Sequence, residues 1–260
     1  GELRNDYPYM KSAIDNLLLD PHGILYEEPY RLLHDEMRDT VQASTLLSII
    51  GNGANKMSEI AARAEKAATE ISAQLNKLRD LGFIIRQLPY GEDEKKSRKG
   101  IYVVSDHLFR FHYRFVSPYI SFIELGKQDV IHSVIESQFS HYVGQFWEEL
   151  CRDFVCGNMI DNILYTKGSR WWGMLTDGTM AELDVVAESL DRKHLLIGEC
   201  KWTRKENTEA LTKCLNDIAG KLPFAKRGQT VHTCLFLRTR PDTPVSTAYF
   251  TPEDMLVKGL

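Results

Sequence analysis

The chain is 260 residues long, 43% apolar and 26% charged, with a formal net charge of −4. This is the composition of an ordinary globular protein; it excludes a disordered or fibrous class and a uniformly basic nucleic-acid binder, while leaving room for a local basic groove. The length suits one large domain or two smaller ones, each able to bury its own core.

Residues 1–40 read as connecting helices. Ile14, Leu17 and Leu18 recur at helical spacing, Pro21-His22-Gly23 breaks the pattern, and Leu32, Leu33 and Met37 resume it. A start at Gly1 rather than Met suggests a processed chain or a piece of a longer protein. From Val41 to about Asp106 the pattern is that of a winged helix-turn-helix: helices over 44–50, 57–64 and 69–81 with Gly82 as the stop, then strands over 83–88 and 101–104. Ile71, Leu75 and Leu78 form the core stripe of the third helix, and its outer face carries Ser72, Asn76, Lys77 and Arg79. The segment PYGEDEKKSRKG between the strands would be the wing, with Lys95, Lys96, Arg98 and Lys99. Together with Lys77 and Arg79 these are the candidate DNA-phosphate contacts, weakened by Glu92, Asp93 and Glu94. The turn GNGANKMS at 51–58 fails the G-x-x-x-x-G-K-[ST] pattern, and nothing else supplies a nucleotide-binding loop.

Residues 106–123 are dense in aromatics, Phe109, Phe111, Tyr113, Phe115, Tyr119 and Phe122, interleaved with Arg110 and Arg114. A buried helix or joint with arginine stems beside the rings accounts for them, and His107 and His112 read as packing or surface residues. Gly126 marks a boundary, giving a helical connector at 1–40, a winged-helix domain with its aromatic joining helix at 41–125, and a second domain at 126–260.

The second domain opens with a long helix over 130–156, with Phe139, Val143, Phe146, Leu150 and Phe154 as its core stripe. Glu148 and Glu149 sit beyond opposite edges of the wider apolar arc that also takes in Trp147 and Cys151, and helical geometry alone does not choose between them. Strands follow over 163–166, 170–175, 182–188 and 195–202, joined as antiparallel hairpins, then a helix over 207–222 and a strand over 231–237. The class is α/β (α+β). The cysteines at 151, 156, 200, 214 and 234 include no C-x-x-C pair, which argues against structural zinc and for reduced, isolated core thiols in a cytoplasmic protein. No run has membrane-spanning length, and no signal segment is present.

The stretch ELDVVAESLDRKHLLIGECKW at 182–202 places charges inside two apolar, strand-length runs. Alternation puts Glu199 and Lys201 on one strand face and Cys200 on the other, and a hairpin brings Asp184 within reach of that pair. Two carboxylates able to hold a hard cation, beside a lysine able to steady negative charge, suggest metal-assisted phosphodiester hydrolysis.

Glu148 on a helix, Asp184 on a strand and Glu199-Cys200-Lys201 on the next resemble the PD-(D/E)XK nuclease pattern. With WWG at 171–173, ELDVVA at 182–187, GECKW at 198–202, GILYEEPYRLLHDEMR at 23–38 and FRFHYRFVSPY at 109–119, nearly the whole chain looks like the C-terminal region of the archaeal-type AAA+ ATPases. That resemblance implies a winged helix-turn-helix domain followed by a restriction-endonuclease-like mixed-sheet domain with an αβββαβ core. It implies Mg²⁺ or Mn²⁺ on Asp184 and Glu199, Lys201 stabilising the pentavalent phosphate, and Glu148 completing the site. Glu148 is preferred to Glu149 because it follows G-x-x-W, Gly144 to Trp147. Leu183 stands where the named motif has Pro, and Glu182 shares the strand face of Asp184 and could assist with metal. The expected function is a metal-dependent DNA endonuclease domain. A non-catalytic DNA-binding or regulatory module and a protein-interaction module are the alternatives. The expected partners are DNA and the protein's own N-terminal ATPase module, which alone would carry ATP and ATPase activity; no membrane is involved, and homo-oligomerisation stays open.

Overall fold

The computed structural model describes residues 9–258, so the first eight residues of the expected connector, Gly1 included, lie outside the described residues. By its contacts the chain divides into two compact units: one runs to Gln87 and resumes over Lys99–Ser137, and the other joins Leu88–Arg98 to the chain from Gln138 onward.

In the first unit, α1 (Met10–Leu17) and α2 (Glu28–Glu36) precede α3 (Thr40–Gly51), α4 (Met57–Arg63) and α5 (Ala68–Asp80). Asp39 begins α3 by accepting the Gln42 N–H at 3.0 Å, and Gly82, at φ +80°, follows the end of α5. Strands β1 (Ile84–Gln87) and β2 (Ile101–Val104) then pair antiparallel. Ile71, Leu75 and Leu78 are fully buried with Leu46, Leu47, Ile60 and Ile84. The aromatic stretch forms α6 (His107–Phe111), a π-helical turn (His112–Val116), a 3₁₀ turn (Ser117–Tyr119) and α7 (Ile120–Glu124). Its rings Phe109, Phe111, Tyr113 and Phe115 are buried, and so is Arg110, whose Nε donates to the Val104 carbonyl. Burial also lowers His112 to about 4, the mark of a neutral packed imidazole.

Helix α8 (Gln128–Val155) leads into the second unit, where β3 (Met159–Ile160) and β4 (Ile163–Leu164) form a small hairpin. A five-stranded sheet follows, in the order β5 (Ser169–Met174), β6 (Met180–Glu188), β7 (His194–Lys201), β8 (Thr230–Leu237), β9 (Ala248–Phe250). β5, β6 and β7 pair antiparallel, whereas β8 and β9 run parallel to β7, so the sheet is mixed. Helix α9 (Thr208–Ala219) provides the crossover between the parallel strands β7 and β8, and α10 (Pro252–Lys258) closes the described chain.

The sheet is buried on both faces. Leu196, Cys200, Val185 and Ala187 pack with Trp147, Cys151 and Phe154 of α8, while Leu195, Ile197, Leu183 and Val186 pack with Leu215 of α9. Double burial is why the run LLIG reads as continuously apolar rather than alternating. Trp147 fixes α8 to β8 through an Nε1–H bond of 3.1 Å to the Phe236 carbonyl.

Two expectations need correction. The stripe of α8 that enters the core is Trp147, Cys151, Phe154 and Val155: Phe154 stands as expected and Trp147 and Cys151 come from the wider apolar arc, whereas Phe146 is only half-buried and Leu150 is 51% exposed. The helix offers apolar residues on adjacent faces, and the sheet selects the one bearing the indole that can donate to β8. The cysteines do not all lie in the core: Cys151, Cys200 and Cys234 are buried, and Cys156 and Cys214 are exposed. Three short elements carried too little periodicity to be read, β3, β9 and α10. No helix of the described residues is long and apolar enough to cross a membrane.

Gly198 stands where β7 passes closest to its neighbours. A Cβ there would lie 2.9 Å from Phe236 Cε2 and 3.3 Å from both the Cys234 carbonyl oxygen and Val185 Cβ. Gly198→Ala should therefore lower stability by about 1–3 kcal/mol, read from the chemical-denaturation midpoint at unchanged m-value.

Candidate active site

The β6–β7 ladder runs from Glu188↔Leu195 to Val185↔Gly198 and stops there. One step further the same register sets Asp184 beside Glu199. Instead of another backbone bond, the Asp184 side chain takes over: its Oδ2 accepts the Cys200 N–H at 2.9 Å. The cause lies on the other edge of β6. Between Ser169↔Val186 and Trp171↔Leu183, β5 advances two residues and β6 three, so β6 carries an extra residue in a bulge at 184–185, opposite Arg170. A bulge re-aims a side chain and loosens local pairing. Here it turns Asp184 toward β7 and leaves the carboxylate 9% exposed.

Glu199 and Lys201 lie on the same face of β7, and Lys201 Nζ stands 2.5 Å from Glu199 Oε1. Cys200, between them, points the other way into the core beneath α8. From α8, one turn apart, come Glu148 and Arg152. Arg152 is buried; its Nη1 donates to the Asp184 carbonyl at 2.9 Å and stands 3.8 Å from Glu148 Oε2. Arg170, on β5 opposite the β6 bulge, is ion-paired to Glu182, and its Nε is buried without a hydrogen-bond partner.

Glu148, Asp184 and Glu199 therefore crowd negative charge into a poorly hydrated place. Burial first, and then the charge of Asp184, push Glu148 up to about 7, with Arg170 and Arg152 opposing. Burial also raises Asp184, against the Cys200 N–H and the charges of Arg170 and Lys201. Glu199 is raised by burial and by Asp184. Burial alone would lower Lys201, but its bond to Glu199 and the charges of Glu199 and Asp184 outweigh that and raise it, so it stays charged.

Of the residues singled out from the sequence, Glu148, Asp184, Glu199 and Lys201 are brought into one electrostatic cluster, with Glu182 at its rim. Glu148 lies close enough to Asp184 for the two charges to raise its proton affinity. Arg152 and Arg170 escaped the sequence reading. The available signals were an arginine four residues after Glu148 inside an apolar helix, and an arginine opening the strand SRWWGM. The six candidate phosphate contacts are all exposed. Lys77, Arg79 and Lys99 lie in the first unit, and Lys95, Lys96 and Arg98 in the second. Arg79 is 3.4 Å from Asp80, and the N–H groups of Lys95 and Lys96 bond to Asp93 at 2.9 and 3.1 Å.

A family described as archaeal and bacterial proteins of unknown function, DUF234, matches residues 112–212, a span that holds Glu148, Asp184, Glu199 and Lys201. The chain is also similar to the uncharacterized protein MJECL04 of Methanocaldococcus jannaschii, 28% identical over 174 residues, which is 66% of this chain and 38% of that protein. The chain thus spans well under two thirds of that relative's length. No solved structure matches it.

Among the described residues no cluster of three or more His, Cys, Asp or Glu side chains is arranged to hold a metal ion. The chemistry of the donors nevertheless fits a hard divalent cation. They are carboxylate oxygens, and their raised affinity for protons reflects burial and mutual repulsion that a cation would relieve. Asp184 and Glu199 would hold it, with water or substrate oxygens supplying the remaining positions, as is usual for Mg²⁺.

Because Glu148 titrates at about 7 in the fold against an ordinary 4.5, the folded chain binds more protons than the unfolded chain between those values. Its contribution to stability is therefore lost as pH rises through that window. Glu148→Gln, measured by thermal unfolding in EDTA, should stabilise the protein at pH 8 by on the order of 1–3 kcal/mol and leave it unchanged near pH 4.

Proposed function

We propose that this chain carries a divalent-metal-dependent deoxyribonuclease site in its second unit, positioned on DNA by a winged helix-turn-helix whose helices and strands lie in the first unit and whose wing segment, 88–98, belongs to the second. The observation that carries the reading is the Asp184 carboxylate turned by the β6 bulge toward the Glu199–Lys201 pair, with Glu148 arriving from α8. The order α8, β5-β6-β7, α9, β8, with β8 parallel to β7, supports a restriction-endonuclease-like αβββαβ core. Three helices followed by a two-stranded antiparallel sheet support the winged helix.

In this reading Asp184 and Glu199 hold Mg²⁺ or Mn²⁺, which when bound would polarise a phosphoryl oxygen and acidify water. Lys201, kept charged by Glu199 and Asp184, donates to the oxygen on which negative charge develops. Glu148, with its proton affinity near neutrality, takes a proton from the attacking water and hands it on. Arg152 anchors the Asp184 backbone and Arg170 offsets the charge of Glu182, so both position the carboxylates.

The second reading is a DNA-binding or regulatory module of an AAA+ ATPase that does not cut. The exposed Lys77, Arg79, Lys95, Lys96, Arg98 and Lys99 favour it independently of the carboxylates. The two readings separate on incubation with linear, branched and single-stranded DNA in Mg²⁺ or Mn²⁺. The wild type should cut. Asp184→Asn, which keeps an oxygen to accept the Cys200 N–H, and Lys201→Ala should each lose about 10²-fold or more in rate while retaining the wild-type melting profile within a few degrees. Salt-sensitive binding without turnover in any of these proteins would select the second reading instead.

A further inference from the structure

A cavity of about 530 Å³ opens where the C-terminal ends of the parallel strands β7 and β8 meet the start of α9. Its walls are the segment 203–206, which follows Lys201 directly, and the segment 239–243, which follows β8. Two bonds tie the walls together: the Arg238 N–H donates to the Lys201 carbonyl at 3.0 Å, and Thr239 Oγ1 donates to the Arg204 carbonyl at 2.9 Å. The mouth between parallel strand ends and a crossover helix is the usual place for a ligand in such sheets.

The lining is charged and hydroxylated. Arg204, Lys205 and Arg240 contribute positive charge, Glu206 and Asp242 negative charge, and Thr203, Thr208 and Thr239 hydroxyls. Arg240 is held by Asp254 at 2.5 Å and Thr203 bonds to Glu206, whereas Arg204 and Lys205 are exposed and have no ion pair among the described residues. Arg238 is seated over the Trp202 ring at 5.2 Å, adding a further cation where the strand ends meet. Asp242 also lines the cavity, so the surface favours an anion carrying further polar groups over a bare polyanion.

Size narrows the occupant. A volume of about 530 Å³ lies within the range of small-ligand sites, roughly 300–1,000 Å³. It accommodates a single nucleotide, whereas an intact duplex is too wide to enter. The first lining residue lies two positions beyond Lys201, about 7 Å along an extended chain. A nucleotide held here would therefore adjoin the phosphodiester presented to Glu199 and Lys201.

We propose that this cavity is a nucleotide subsite, which takes an unpaired nucleotide next to the cleaved phosphodiester. The substrate class is then DNA with a single-stranded segment, such as an overhang, flap or junction, and not uninterrupted duplex. The inference rests on the nucleolytic reading of the neighbouring carboxylates, but its test needs no hydrolysis.

Fluorescence anisotropy in EDTA, with the whole chain, would compare a labelled blunt duplex, the same duplex with a short overhang, and the overhang strand alone. The overhang substrate should bind at least 10-fold more tightly than the blunt duplex. The double variant Arg204→Ala/Lys205→Ala should lose that preference and reduce the slope of log K against log salt by about 1.4, from two phosphate contacts at roughly 0.7 each. Lys193→Ala, at the opposite end of β7, should match the wild type. Equal binding of blunt and overhang DNA, an unchanged preference in the double variant, or no DNA binding by the wild type would overturn the proposal. So would competition by free nucleoside monophosphate at the concentration at which the overhang strand competes, since the site would then belong to the free nucleotide. A protein that shows the preference and its loss but cuts no DNA with Mg²⁺ or Mn²⁺ would keep the subsite and refute the nuclease reading.

Discussion

The second unit turns on one hydrogen bond, from the Cys200 N–H to the Asp184 carboxylate. From Glu188↔Leu195 to Val185↔Gly198 the two strands pair through their backbones. At this point a charged side chain substitutes for a main-chain carbonyl, and the two strands part around it. Burying a carboxylate is costly unless donors and countercharges meet it. Here the Cys200 N–H meets it directly, Arg170 and Lys201 lie close enough to bias its titration, and Arg152 secures the backbone behind it. The bulge in β6 makes this geometry available, because an extra residue against Arg170 lets Asp184 turn without disturbing the apolar alternation on either side.

The rest of the site follows from how the sheet is clamped. Trp147 bonds to β8 and Arg152 to β6, so one helix grips two strands. Glu148, next to Trp147 and one turn before Arg152, is set near Asp184 with 23% of its side chain exposed. That is why a glutamate on a helix, ordinarily a solvated residue, becomes a carboxylate with a proton affinity near neutral pH. Lys201 and Glu199 are fixed differently, by strand alternation and by Cys200, whose side chain is committed to the core under α8.

The elements were legible because their signals are local. The stripe Ile71, Leu75, Leu78 and the stop at Gly82 mark α5, and the β-branched runs around Asp184 and Glu199 mark two strands. The helix–sheet docking was harder to read. The expected stripe through Phe146 and Leu150 obeys helical spacing as well as the observed one through Trp147 and Cys151. Only the donor on Trp147 and the acceptor on β8, far apart in sequence, choose between them. Arg152 and Arg170 were missed for the same reason: each is explained by a partner 12 to 32 residues away.

Hydrophobic period and strand alternation act over a few residues, so the amino-acid order was enough to mark the main elements and to put Glu199 and Lys201 on one strand face. The fold in three dimensions added the register of β8 along β7, the bulge that aims Asp184 across the gap, and the approach of Glu148 to it. These depend on register, docking and burial, which arise only when distant segments compete for the same core.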